Sequence, residues 1–426
     1  MASRACWVML LVIGPLVGMQ FIDAVRTYGE LSGFNGTAAG VGEAFTPLIG
    51  ILAPTFSACE LAAAFLLPFV VIRVVAGDQQ SGALLLELQQ PFSAFGRILA
   101  KTVVLLLVWL ALSAAPLLAV LMWRFYGGAL NGAELGTVMA GHMLNAALAI
   151  AIAAAAARIT DHPSTAAITA LSVTVGGWLL NFAAALNGGV WAQLAQYTPT
   201  AMVGEFQHGL VRLEVVLASL VLTAAGLGCA AVWTRLGVPV RRRILESGAL
   251  AAVCAVLLIA CSFVDASWDT SEARLNSVSA ADERLLGTLT APLRIEAHLA
   301  AEDPRRSDLE RRVVPKLRRA VGDFDISYVS ATTSGLFEQT REDYGEIRYQ
   351  LGTATRTGRA TTLEGVLGDI YGLAGMAVEE EGEDEKDEVF RGHPLAVAPD
   401  GAAVVFYAGW PAAIAGVVLM GRGRGT

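Results

Sequence analysis

The chain has 426 residues, of which 55% are hydrophobic and only 16% charged, and its formal net charge is −8. A water-soluble domain carries about 25% charged residues because its surface must be hydrated. That shortfall, with a mean hydropathy of +0.56, argues against a soluble enzyme and for a chain that turns much of its surface to lipid. The five cysteines, Cys6, Cys59, Cys229, Cys254 and Cys261, each lie in an apolar stretch. They read as small buried residues without a disulfide framework.

A bilayer core of ~30 Å needs about 20 apolar residues per helical crossing. Such stretches occur at 6–22, 45–75, 102–123, 136–157, 165–186, 213–233, 248–264 and 402–420. The expected fold is therefore an α-helical polytopic membrane protein of about eight spans. Orientation follows from arginine and lysine, which concentrate in short cytoplasmic loops. With the N-terminus inside, the inner flanks hold Arg4, Arg73, Arg97, Lys101, Arg158, Arg235, Arg241, Arg242, Arg243, Arg422 and Arg424. The outer short loops hold only Arg26, Arg124 and Arg212. Both termini are then cytoplasmic, residues 265–401 lie outside, and the setting expected is a bacterial inner membrane. Arg4 before an apolar run has the look of a signal peptide, but no small-residue cleavage site follows Phe21-Ile22-Asp23, so the first stretch reads as a retained span.

The organisation expected from this pattern is a six-span membrane domain over 1–235, a basic cytoplasmic linker over 236–247 and a seventh span over 248–264. An extracytoplasmic domain over 265–401 and a last span over 402–421 complete it. The outer domain reads as a small α/β unit. Ser279 with Asp282 forms a capping pattern ahead of Leu285, Leu286 and Leu289. Leu293, Ile295, Ala297 and Leu299 alternate as in a strand with one buried face, and Phe324, Ile326 and Tyr328 alternate again. Between them Leu309, Val313 and Leu317 recur at helical spacing, with Pro315 kinking or splitting that helix. Strand, helix, strand in this order predicts a parallel crossover. Thr361 and Glu364 are expected to cap a further helix carrying Leu363, Val366, Leu367, Ile370 and Leu373. The acidic run 379–385 lacks the Asp and Gly spacing of an EF-hand loop and reads as solvated.

Sequence signals for catalysis are missing. Lys101-Thr102 is the one lysine followed by a hydroxyl residue, and Ala100 stands where a phosphate-binding loop needs glycine. His142, His162, His208, His298 and His393 form no His-Glu-x-x-His pair, and neither Cys-x-x-Cys nor Gly-x-Ser-x-Gly occurs. No enzyme activity, catalytic residue, cofactor, metal or nucleic-acid partner is expected; a membrane enzyme built from distant groups is the weakest of three readings.

Two sets of residues carry functional expectations. The first is the inner segment 78–101, where a leucine-rich stretch over 81–90 suits a short interfacial helix ended by Pro91. Taken alone it is also readable as an ordinary loop between spans. The second is polar: Glu60, counted back from Val75, falls just below the outer boundary, and His142 lies at comparable depth with Asn145 on the same helical face. A buried polar patch of this kind serves either a translocation path or a structural hydrogen bond between helices.

Asp78, Gly82, the leucine-rich turn with Glu87, Pro91-x-Ser93, Arg97 and Lys101 resemble the segment after the second span of type-2 ABC permeases, although Ala94 stands where that family often has arginine. In that family the segment contacts the cytoplasmic ATPase, which implies such a partner here. Tyr197-Thr198-Pro199-Thr200, Phe206 and Gly209-Leu210-Val211 resemble a stretch of permeases in gliding-motility-type ABC systems. Asp265, the run from Trp268 to Leu275, Ser279 and the Pro292-Leu293-Arg294-Ile295 strand resemble the start of the auxiliary component of those systems. The resemblance implies a permease fused to its auxiliary component, working as a homodimer or with a second permease in membrane lipid. The rival reading, from another class, is a non-transporting envelope scaffold that docks partners through its outer domain.

Overall fold

The computed structural model describes residues 4–31, 46–80, 82, 89, 91–187, 189–272, 274–289, 291–300, 303–329, 343–376 and 401–423. Among them eight helices are long and apolar enough to cross a membrane: Cys6–Glu30, Leu48–Asp78, Ala94–Phe125, Gly132–Ile159, Pro163–Asn187, Leu213–Thr234, Val240–Cys261 and Ala402–Met420. At ~1.5 Å per residue the shortest of these, 19 residues, reaches about 28 Å. Their outward faces carry large apolar side chains open to the surroundings, among them Leu107, Leu121, Ile168, Phe182 and Val256. A surface so continuously apolar is covered by something other than water. The chain divides into two compact units, one of Met1–Ser271 with Arg391–Thr426 and one of Glu272–Phe390.

Within the first unit, helix ends follow local capping more than hydropathy. Ser93 opens the third long helix, its hydroxyl accepting from the Gly96 amide at 3.0 Å, so the helix begins eight residues before the apolar stretch expected at 102. Pro239 opens the seventh, which starts at Val240; Arg241, Arg242 and Arg243 therefore sit in a first helical turn where a linker over 236–247 was expected. The first and eighth long helices meet through glycine. A Cβ on Gly14 would lie 2.1 Å from Trp410 and one on Gly18 2.3 Å from Phe406, so only glycine lets the two backbones approach this closely. The Trp410 indole N–H donates to the Leu10 carbonyl at 2.7 Å across the same contact.

A short antiparallel ribbon also belongs to this unit. Strand β1 (Leu210–Arg212) pairs with β2 (Ser267–Asp269), with Val211 opposite Trp268. The Thr270 amide and hydroxyl both donate to the Gly209 carbonyl, at 2.8 and 2.9 Å, and Thr270 Oγ1 lies 2.8 Å from Thr137 Oγ1. Two segments singled out by sequence thus pair with each other.

The second unit is a two-layer α/β arrangement. Its sheet has the order β4-β3-β5-β6, built from β3 (Leu293–Ala297), β4 (Phe324–Tyr328), β5 (Ile347–Leu351) and β6 (Ala354–Gly358). β3 and β4 are parallel, as the strand–helix–strand order predicts; the other pairs are antiparallel. Leu293, Ile295, Ala297, Ile347 and Tyr349 bury one face against Leu309, Val313 and Leu317 of the crossover helix and Val366 and Ile370 of the helix Leu363–Ala374. The crossover helix is interrupted by a π-helical turn, Leu309–Val313, just ahead of Pro315, which realises the expected split. Ser279 caps as expected, accepting from the Asp282 amide at 3.1 Å. The cap of the last helix is corrected by one residue: Thr362, and not Thr361, accepts from the Gly365 amide at 3.4 Å. Gly375, with φ of 65°, ends that helix in the left-handed conformation that glycine alone adopts without strain. The acidic run 379–385 lies outside the described residues.

Candidate functional site

The segment 78–101 is described only in part. Glu87 and its neighbours over 83–88 lie outside the described residues, as does most of the expected interfacial helix. What is described places Asp78, at the end of the second long helix, against Lys101 in the third, with Nζ 2.5 Å from Oδ2. The side chains are 18% and 28% exposed for Lys101 and Asp78, so the pair is partly screened and closes the base of the loop. Gly82 takes a φ of 75°, which disfavours any side chain there. Arg97 folds back to donate to the Phe92 carbonyl at 2.7 Å, and Pro91 is exposed. Asp78 and Lys101 therefore meet, whereas Arg97 turns to the loop backbone.

The polar patch is built from four elements. The second long helix carries Glu60 in a regular stretch, Ala53–Leu61, flanked by π-helical turns Leu48–Leu52 and Ala62–Leu66. Such turns widen a helix locally and recur at functional positions. The fourth long helix supplies His142 and Asn145, both buried. The fifth supplies Thr174 and Trp178. The last element is a short helix, Pro199–Gln207, capped by Thr198, whose hydroxyl oxygen accepts from the Ala201 amide at 3.3 Å while its O–H faces Asn181 Oδ1 and the Ala195 carbonyl. This helix is pressed onto the fourth at Gly141, where a Cβ would lie 2.4 Å from Phe206. That contact sets where Gln207 can reach.

Thr200 lines the same cleft as Glu60. The Trp178 indole donates to Thr200 Oγ1 at 3.1 Å. Gln207 Nε2 lies 3.3 Å from His142 Nε2. The tautomer of His142 sets which of the two groups donates in this contact. Buried Nδ1 has no hydrogen-bond partner among the described residues, and the ring packs on Phe56 at 5.4 Å between centroids. Gln207 thus joins the short helix Pro199–Gln207 to His142 of the fourth long helix.

Beside Glu60 opens a narrow cleft, partly continuous with the outside. Glu60, Asn145, Thr174, Trp178 and Thr200 give it a polar edge, and alanine, proline and isoleucine side chains form its walls. Among the described residues no lysine or arginine pairs with Glu60. Sequence reading found Glu60, His142 and Asn145 because polar residues stand out in apolar runs. It missed Thr200, Gln207 and Trp178 as members of the site. Thr200 and Gln207 are seven residues apart and so share one face of a helix, a signal visible once Thr198-Pro199 is recognised as a helix start.

Comparison of this chain with family models, with curated proteins and with solved structures finds no match.

Proposed function

We propose that the chain is the membrane-spanning permease subunit of an ABC transport system, fused to an auxiliary outer domain and driven by a separate cytoplasmic ATPase. Its eight apolar helices cross a bacterial inner membrane, both termini are cytoplasmic, and the unit Glu272–Phe390 lies outside. The chain works in pairs, as a homodimer or beside a second permease, and catalyses no reaction itself. The resemblance of its segments to type-2 permeases and to the gliding-motility-type auxiliary component supports this reading.

The observation that carries it is the base of the loop 78–101. An ion pair between Asp78 and Lys101 ties the second and third helices together where the resemblance places the ATPase contact. The loop is thereby held as a unit through which a push from below reaches the helix bearing Glu60. The β1–β2 ribbon supports the fusion, since it joins a permease-like segment to an auxiliary-like one.

The test is a charge swap. Lys101→Asp should lower recovery of the ATPase, roughly fivefold for a pair contributing about 1 kcal/mol, and the double variant Asp78→Lys with Lys101→Asp should restore it. Equal recovery by wild type and Lys101→Asp, at matched abundance in the membrane, contradicts the proposed coupling role.

A further inference from the structure

We propose that the narrow cleft beside Glu60 binds one alkali-metal cation, held by side-chain oxygens of Glu60, Asn145, Thr174 and Thr200. The inference rests on the membrane setting proposed above and not on the ATPase, and it assigns a ligand to the polar patch.

Size and a buried amide set the kind of ligand. The cleft has room for about 30 Å³, enough for one or two bodies the size of water and too little for an organic molecule. Asn145 lines it although only 8% exposed, and among the described residues its amide makes no hydrogen bond. Buried polar groups are nearly always paired, so this amide is placed to meet a small polar body in the cleft. Charge separates an ion from water. Glu60 is the one charged side chain lining the cleft, and among the described residues no lysine or arginine pairs with it. Water would serve Asn145 but leave a carboxylate uncompensated among apolar helices. One monovalent cation neutralises it. A divalent ion, which draws on several carboxylates, would leave a charge over.

The donor set selects the metal. A carboxylate, an amide carbonyl and two hydroxyls are all oxygen ligands, which suit a hard cation rather than a soft transition metal. Thr174 Oγ1 donates to the Ala170 carbonyl at 3.4 Å, and Thr200 Oγ1 accepts from the Trp178 indole. Both hydroxyl oxygens therefore keep a lone pair for a cation. The supports are themselves held. Trp178 packs on Phe65 with ring centroids 5.4 Å apart, and the short helix bearing Thr200 is locked to the fourth long helix where Phe206 meets Gly141. An ion on these four residues ties the second, fourth and fifth long helices to the short one.

The experiment measures equilibrium binding of radiolabelled sodium, and separately of radiolabelled rubidium standing in for potassium, to the full chain in phosphatidylcholine nanodiscs at neutral pH. N-Methyl-D-glucamine, a cation too large for the cleft, keeps the ionic strength constant. Wild type should bind at least one of the two ions saturably, in a one-to-one ratio. Glu60→Gln, which keeps shape and removes charge, should weaken binding about 30-fold or more. Asn145→Leu, which keeps volume and removes the carbonyl, should weaken it roughly tenfold. Calcium should displace the ion poorly from wild type and readily from Asn145→Asp, where two carboxylates match its charge. Each variant is compared at matched elution from size exclusion, so loss of binding is separated from loss of fold. Saturable binding of neither ion to wild type, as a protonated Glu60 beside water would give, overturns the proposal. So does wild-type strength in Glu60→Gln, or displacement by N-methyl-D-glucamine equal to that by the unlabelled ion. The assay contains no ATPase: a chain that recovers an ATPase yet binds neither ion loses this inference alone, and one that binds an ion but recovers no ATPase loses the transport reading alone.

Discussion

Asp303 illustrates how one side chain can hold the start of a helix. Its Oδ1 accepts from the Arg305 amide at 2.9 Å, and its Oδ2 accepts from Arg305 Nη2 at 2.8 Å and from the Tyr344 hydroxyl at 2.7 Å. The Arg305 guanidinium, followed by Tyr344, holds this carboxyl well below the usual carboxylate range. A carboxyl with a depressed value in the folded state contributes stability that is present above its unfolded value of about 3.9 and is lost as pH falls below it. Asp303→Asn keeps the cap and loses the ion pair, so it should unfold at lower temperature than wild type near about pH 6, with the gap narrowing below about pH 4. Thermal unfolding of the full chain at both values checks this, and a gap that stays constant with pH would remove the ion pair as its cause. Single residues were unevenly legible in the sequence. The Ser279 cap follows directly from a serine three residues ahead of an acid. The cap at Thr362 did not, because two adjacent threonines compete and the Thr361–Glu364 spacing imitates a capping box that the helix start at Leu363 does not use. Glu60, His142 and Asn145 stand out as polar groups in apolar runs, but the Gln207–His142 contact depends on a tertiary contact at Gly141 that no local pattern carries.

At the scale of elements, the contact between the first and eighth long helices is a close packing that glycine permits. Gly14 and Gly18 lie four residues apart on one helical face and accept Trp410 and Phe406. Gly18→Ala places a methyl group inside Phe406 and should cost ~1–3 kcal/mol. Phe406→Ala removes the obstacle, so the two changes should couple strongly in a double-mutant cycle read from unfolding midpoints; strict additivity would show that the helices do not meet there. Hydropathy located all eight long helices because 20 apolar residues in a row leave little else for a chain to do. Their ends were less legible. Backbone hydrogen bonding continues past the apolar stretch until a residue such as Ser93 or Pro239 begins or stops it, which is why the third and seventh helices start earlier than hydropathy suggests. β1 and β2 have three residues each, too few for an alternation to register.

On the scale of the whole molecule, the account joins a helical unit with a polar cleft to a compact α/β unit of known residue bounds and unlike composition. The proposed orientation rests on the arginine asymmetry, and it makes a direct claim: reporter fusions after Arg243 and after Arg306 should read cytoplasm and outside respectively, and one compartment for both would refute it. The β1–β2 ribbon requires residues 210–212 and 267–269 to share a side, which the same topology satisfies. The transport reading makes a further claim, because the sequence contains no phosphate-binding loop of its own. On that reading the energy comes from another chain. The most direct measurement is affinity purification of the full protein from its native membranes in mild detergent, with quantitative mass spectrometry of what comes with it. The account predicts a P-loop ATPase at stoichiometric amounts, reduced roughly fivefold in Lys101→Asp and regained in the charge-swapped pair; a protein recovered with no nucleotide-binding partner would contradict it.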